Sequence, residues 1–72
     1  MADIEMKPVQ SSNINAVGYD ELNQVMHVEF TNGNKYIYFD VPPKYHEAFI
    51  GSDSIGKHFV KHVRGHFDFQ KG

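Results

Sequence analysis

Tyr36 and Tyr38 stand two positions apart beside Lys35. On an extended strand, residues i and i+2 share a face, so both rings point the same way next to a cation. RNA-binding sheets use such a pair to stack unpaired bases, because every base has a π face and its phosphate attracts a lysine. Core packing is the competing use, since ten aromatics, six Phe and four Tyr, must carry much of the burial in a chain of 72 residues. The outcome depends on which strand face meets the rest of the protein, the Tyr36 and Tyr38 face or the Ile37 and Phe39 face, and the sequence leaves both open. The tyrosine hydroxyls incline that face toward partial exposure.

A second group lies further along. Ile55, Phe59 and Val63 recur every fourth residue, the mark of an amphipathic helix. With Ile55 at zero and about 100° per residue, these three fall at roughly 0°, 40° and 80°. Lys57, Arg64 and Lys61 fall at about 200°, 180° and 240°, opposite the apolar side. Such a basic stripe is either a solvated helix face or a phosphate contact. Ser54, just ahead of the helix, adds a hydroxyl where free N–H groups favour an oxyanion.

His58 and His62, at about 300° and 340°, have the i, i+4 spacing that aims two imidazoles at one metal. A zinc site needs three or four ligands, however. The chain has no Cys and no Glu placed as in the His-Glu-x-x-His motif, and His66 lies beyond Gly65. Exposed, titrating histidines are therefore the expectation, with no metal and no cofactor; protonation near about pH 6 adds positive charge to this segment. An enzyme is not expected either. Ser11, Ser12, Ser52 and Ser54 lie in no nucleophile elbow, and there is neither a phosphate loop nor a close carboxylate pair. Ser11 and Ser12 read as turn residues whose hydroxyls satisfy backbone groups, and Asp20 as a turn residue.

The net charge of -2 conceals a division. Residues 1–50 set three lysines against seven carboxylates, a net -4, whereas Lys57, Lys61, Arg64 and Lys71 outweigh Asp53 and Asp68 in residues 51–72, a net +2. A long polyanion wrapped around the whole surface is excluded by that acidic majority, and a local contact is not. No apolar run approaches the roughly 20 residues of a membrane span, and the start MADIEMK lacks a signal peptide's regions, so a soluble cytoplasmic protein is expected.

The elements that must position these residues follow from periodicity and turn chemistry. Residues 13–19 read as a strand, with Ile14, Ala16 and Gly18 on one side and Val17 and Tyr19 on the other. Residues 25–30 alternate cleanly: Met26, Val28 and Phe30 face one way, Val25, His27 and Glu29 the other. Asn32-Gly33 then predicts a two-residue hairpin turn into a strand over residues 35–39. Val41-Pro42-Pro43 ends the sheet, and residues 44–50 read as a short helix with Tyr45, Ala48 and Phe49 on its apolar side. Gly51 closes it, Ser52 or Asp53 caps the next helix, and Gly65 stops that one. The expected fold is α+β, a three-stranded antiparallel β-meander followed by two short helices packed on one sheet face. Residues 1–7 are expected to fray, residues 8–69 to form one domain and residues 70–72 to be a tail in front of which Phe67 and Phe69 pack back.

The combined pattern is Pro8-Val9-x-Ser11-Ser12-Asn13-Ile14, Val17-Gly18-Tyr19-Asp20, Val28-x-Phe30-x-x-Gly33-x-x-Tyr36-x-Tyr38, Val41-Pro42, Ser54-x-Gly56-x-x-Phe59 and Val63-Arg64. Over residues 8–67 it resembles the KTSC domain, which takes its name from a C-terminal extension of some lysyl-tRNA synthetases and also occurs as small stand-alone bacterial and phage proteins. The resemblance implies a small domain with a central Tyr-x-Tyr motif, here Tyr36 and Tyr38, and through the synthetase an association with RNA. The histidine-rich second helix and His66-Phe67 depart from the family pattern. Two kinds of partner remain. One is RNA or tRNA, stacked by Tyr36 and Tyr38 and held by Lys35, Ser54, Lys57, Lys61 and Arg64; the other is a host protein bound through an acidic face or a strand edge, as by a phage or mobile-element accessory protein.

Overall fold

Gly33 reverses the chain at the centre of the fold, with φ at +92°, where a side chain is unfavourable. Phe30 N–H donates to the Asn34 carbonyl at 2.8 Å, and Gly33 N–H donates to the Phe30 carbonyl at 3.0 Å. Gly33 alone has positive φ in this turn, so the loop is the three-residue kind ending in a left-handed glycine, and not the two-residue turn expected. The computed structural model describes residues 4–72. In chain order its elements are strands β1 (Lys7–Pro8), β2 (Ile14–Asp20), β3 (Val25–Phe30) and β4 (Lys35–Tyr38), helices α1 (Pro43–Ile50) and α2 (Ile55–His58), and strand β5 (Phe69–Lys71). A π-helical turn, Phe59–Val63, continues α2.

The meander β2-β3-β4 is as expected, but the sheet has five strands and not three, in the order β1-β2-β3-β4-β5 and antiparallel throughout. Each added strand is too short to show a period. Lys7–Pro8 sits at an edge, where the N–H that proline lacks is not needed, and pairs with Val17 and Ala16. At the other edge Gly65, with φ +80°, turns the chain so that Phe69 pairs with Tyr38 and Lys71 with Tyr36. Residues 70 and 71, expected in a tail, thus belong to the sheet; of the segment expected to fray, residues 1–3 lie outside the described residues.

The tyrosine face is the one the helices cover. Val17, Met26, Val28 and Tyr38 are buried together with Val41, Phe49, Ile55, Phe59 and Val63, and Tyr38 is only 4% exposed. A bulge in β2 explains a misread alternation: Ile14 pairs with Phe30 but Ala16 with Glu29, so Asn15 is extra and Ile14 joins Val17 on the helix side. Helix α1 begins with Pro43 at its first position. It buries Phe49, while Tyr45 and Ala48, expected on its apolar side, are exposed. His46 makes a further contact, stacking on Tyr19 with ring centroids 4.3 Å apart and planes 7° from parallel.

The second helix departs most from expectation. An i, i+4 repeat drifts by about 40° per step around an α-helix. The π turn, closed by Arg64 N–H donating to the Phe59 carbonyl at 2.8 Å, rotates the chain less per residue and reverses that drift. Ile55, Phe59 and Val63 are all buried as a result. Neither Ser52 nor Asp53 caps α2. The N-cap is Ser54, without a side-chain cap bond, and Ser52 Oγ instead donates to the Phe49 carbonyl at 3.1 Å.

On the opposite sheet face residues 4–6 cross Gly18 so closely that a Cβ there meets Ile4 Cγ2 at 2.5 Å and Met6 Sδ at 2.7 Å. Gly18→Val therefore forces this segment off the sheet. We expect a stability loss of about 1–3 kcal/mol by urea unfolding, with faster hydrogen exchange at the Val9 amide, which donates to the Asn15 carbonyl. Unchanged stability and exchange contradict this packing.

Candidate functional site

Tyr36 projects from β4 on the helix-covered face but beyond the helices, so its ring is half-buried. Phe30 meets it edge-on from one side at 5.5 Å and Phe69 from the other at 5.7 Å. Tyr38, one pleat away, lies beneath Phe59 at 5.7 Å and 75°. Its buried ring forms the floor of the site and presents no face for stacking. Around these rings runs a hollow of about 500 Å³, with Asn32 and Asn34 of the hairpin on one rim and Arg64 on another. Phe69, 57% exposed, supplies the second accessible ring.

Arg64 reaches this hollow because of the π turn. On a regular helix it lies opposite the apolar side; bonded through its N–H to Phe59, it stands over that residue. Tyr38 registers its charge. Burial pushes the phenol above its ordinary value, the neighbouring Tyr36 adds to the shift, and the Arg64 guanidinium pulls against both. The expected basic stripe is thereby divided. Lys57 lines a different hollow with Ser54, Ser11 and Ser12, while Lys61 is exposed and lines neither, its carbonyl accepting from the His66 ring at 2.9 Å. Lys35 alternates with Tyr36 and faces the other side of the sheet, opposite Glu29.

Sequence reasoning missed Phe30, Phe69, Asn32, Asn34 and Lys71. The available signal was slight, an aromatic and a cation two positions apart, Phe69 and Lys71, at the chain end. Register sets Lys71 directly opposite Tyr36 on the same face, so a cation does flank the Tyr-x-Tyr strand, although not Lys35.

His58 and His62 do come together, with centroids 4.5 Å apart. Among the described residues no group of three or more His, Cys, Asp or Glu could hold a metal ion. His58 is wedged between His62 and Phe49, and its Nδ1 is buried without a hydrogen-bond partner. Desolvation, and then the His62 charge, lower its pKa. The charge expected from His58 near pH 6 is accordingly deferred to lower pH. Of the serines, Ser11 Oγ accepts the Asn13 and Ile14 N–H groups at 3.2 and 3.3 Å, a turn role as expected. Asp20 likewise accepts from the backbone and side chain of Asn23.

A second hollow, about 630 Å³, lies near the Tyr19 and His46 stack and is acidic on balance, with Glu5, Glu21 and Glu47 outnumbering Lys7 in its lining. The Tyr19 hydroxyl donates to the Val41 carbonyl, and its pKa is raised by burial, then by Glu21, Asp20 and Glu47. No helix among the described residues is long and apolar enough to cross a membrane.

A family model described as the KTSC domain matches residues 10–67. The chain is 40% identical over 52 residues to a protein of Tsukamurella paurometabola, covering 72% of this chain and 78% of that one. It is 36% identical over 66 residues to a lysine–tRNA ligase of Nostoc punctiforme, 92% of this chain but only 12% of the ligase. A crystal structure of a KTSC domain protein from Yersinia pestis superposes with a TM-score of 0.91 at 32% identity, covering 97% of this chain and 99% of that one.

Burial sets a pH dependence. His27, His46 and His58 all have lowered pKa values, desolvation being the largest cause in each. The unfolded chain thus takes up protons that the folded one resists. Stability is full above the ordinary histidine value of about 6.5 and falls as pH drops through it toward the depressed folded values. Thermal midpoints measured downward from neutral pH should decline, and His58→Leu should make the decline shallower. A midpoint that rises on acidification contradicts this assignment.

Proposed function

The chain belongs to the KTSC domain family, and from that membership and the geometry of the aromatic hollow we propose that it is a non-catalytic module binding single-stranded nucleic acid, RNA foremost. One observation carries the reading: the half-exposed Tyr36 ring shares its hollow with the exposed Phe69 and the Arg64 guanidinium. A base stacks on one of the two rings, Tyr36 or Phe69, whose planes stand 66° apart, its phosphate meets Arg64 and Lys71, and the Asn32 and Asn34 amides offer donors and acceptors to the base edge. Tyr38 and Phe59 support this surface from below. The likeness to part of a lysine–tRNA ligase supports RNA as the class of ligand. The acidic end at Glu5, Glu21 and Glu47 supports a local contact, since it repels a phosphate chain extending that way.

That same acidic hollow favours a second reading, a protein partner that inserts a basic segment beside Tyr19 and His46. Binding there depends on Glu21 and Glu47 and not on Tyr36.

Fluorescence anisotropy with labelled oligouridylate at low salt separates the two. Tyr36→Ala should weaken binding by about 1–3 kcal/mol, roughly 5- to 150-fold, the cost of one lost stacking platform. Arg64→Gln should reduce the slope of log affinity against log salt by about 0.7, one phosphate contact on a single strand. Tyr38→Phe should leave affinity unchanged. Equal binding by Tyr36→Ala and the parent chain contradicts the proposal.

A further inference from the structure

The aromatic hollow is one end of a longer groove. It shares Phe30, Asn32, Phe59 and Arg64 with a middle hollow of about 280 Å³. The middle hollow in turn shares Asn13, Gly56 and Val60 with the outer one of about 510 Å³, where Ser11, Ser12, Ser54 and Lys57 lie. The three hollows adjoin through these common walls and succeed one another along the seam between α2 and the sheet. Its chemistry changes along its length, from rings, to the Arg64 cation, to a narrow neck at Gly56, to hydroxyls and the Lys57 cation.

Gly56 is the neck. Its φ lies outside the left-handed region, and a Cβ there meets only Ser11 Oγ at 3.4 Å and Asn13 Nδ2 at 3.7 Å. Its backbone therefore does not require glycine, which in a helix costs about 1 kcal/mol relative to alanine. What the glycine supplies is a low floor at the narrowest point, where a Cβ already touches Ser11 and Asn13 and a larger side chain fills the remaining space. Ser11 borders the neck with its oxygen occupied by two backbone N–H groups, which leaves its hydroxyl proton free to donate into the groove.

We infer that this groove is an extended site for a single strand of about four nucleotides, at the low end of the range such grooves engage. One base sits at Tyr36 and Phe69, the backbone passes Arg64 and Gly56, and a further phosphate is held by Lys57 with Ser11 and Ser12. Charge complementarity commits the occupant to a phosphodiester chain: Arg64 and Lys57 lie along the groove, and among the described residues its one carboxylate, Asp53, is in the outer hollow. The inference rests on the nucleic-acid reading above but extends it to a defined path and length.

The test is binding of oligouridylates of increasing length, from the dinucleotide upward, to the parent chain and to Gly56→Leu, which plugs the neck. For the parent chain, affinity should climb with length and level off near about four nucleotides. Gly56→Leu should hold the dinucleotide as the parent does but lose the gain with length. Lys57→Glu, at the exposed far end, should lose the same gain and guards against misfolding of the plugged variant. Parent-like length dependence in both variants overturns the extended groove while leaving the Tyr36 site intact. Absence of binding at every length, in the parent chain too, overturns both.

Discussion

The ring of Phe59 holds the two layers together. It stands edge-on to Phe30 at 5.2 Å and to Tyr38 at 5.7 Å, and lies tilted against Phe49 of α1 at 6.1 Å. One side chain thus contacts β3, β4 and the first helix from the second. Because it covers Tyr38 and stops short of Tyr36, it also determines which aromatic surface stays open. Its carbonyl accepts the bond that closes the π turn, and that bond carries Arg64 to the rim of the same surface. Core packing and the layout of the candidate site therefore meet in one residue.

Much of this was legible in the residues. The alternation in β3, the Asn32-Gly33 turn, the Pro42-Pro43 stop and the Ile55, Phe59 and Val63 repeat each express a local rule, and each produced an element where it was expected. The remainder depends on tertiary context. Lys7–Pro8 and Phe69–Lys71 are too short to have a period, and they become strands only because β2 and β4 offer open edges. The bulge at Asn15 is invisible to strict alternation. Nothing in Phe59–Val63 signals a π turn in preference to an α turn, yet that turn decides whether Arg64 joins Lys57 and Lys61 on an outer stripe or faces the aromatic hollow.

The same distinction runs through the site. Residue types were readable: tyrosines, a cation beside them and a basic segment in an otherwise acidic chain. Their partnership was not, since strand pleat assigns Lys35 to the wrong face and register brings Lys71 to the right one. Burial removes Tyr38 from stacking for the reason that ten aromatics in a small chain must mostly build the core. What remains exposed is a limited aromatic surface with cations on one seam, while carboxylates gather near Tyr19 and His46.

This arrangement makes nucleic-acid binding a claim about position on the molecule. Amide chemical-shift mapping of the folded chain, titrated with single-stranded RNA at low salt, tests it most directly. The largest shifts should fall at Asn32, Tyr36, Arg64 and Phe69 and fade as salt is raised. Signals that stay in place there, or that move instead around Tyr19 and His46, contradict it.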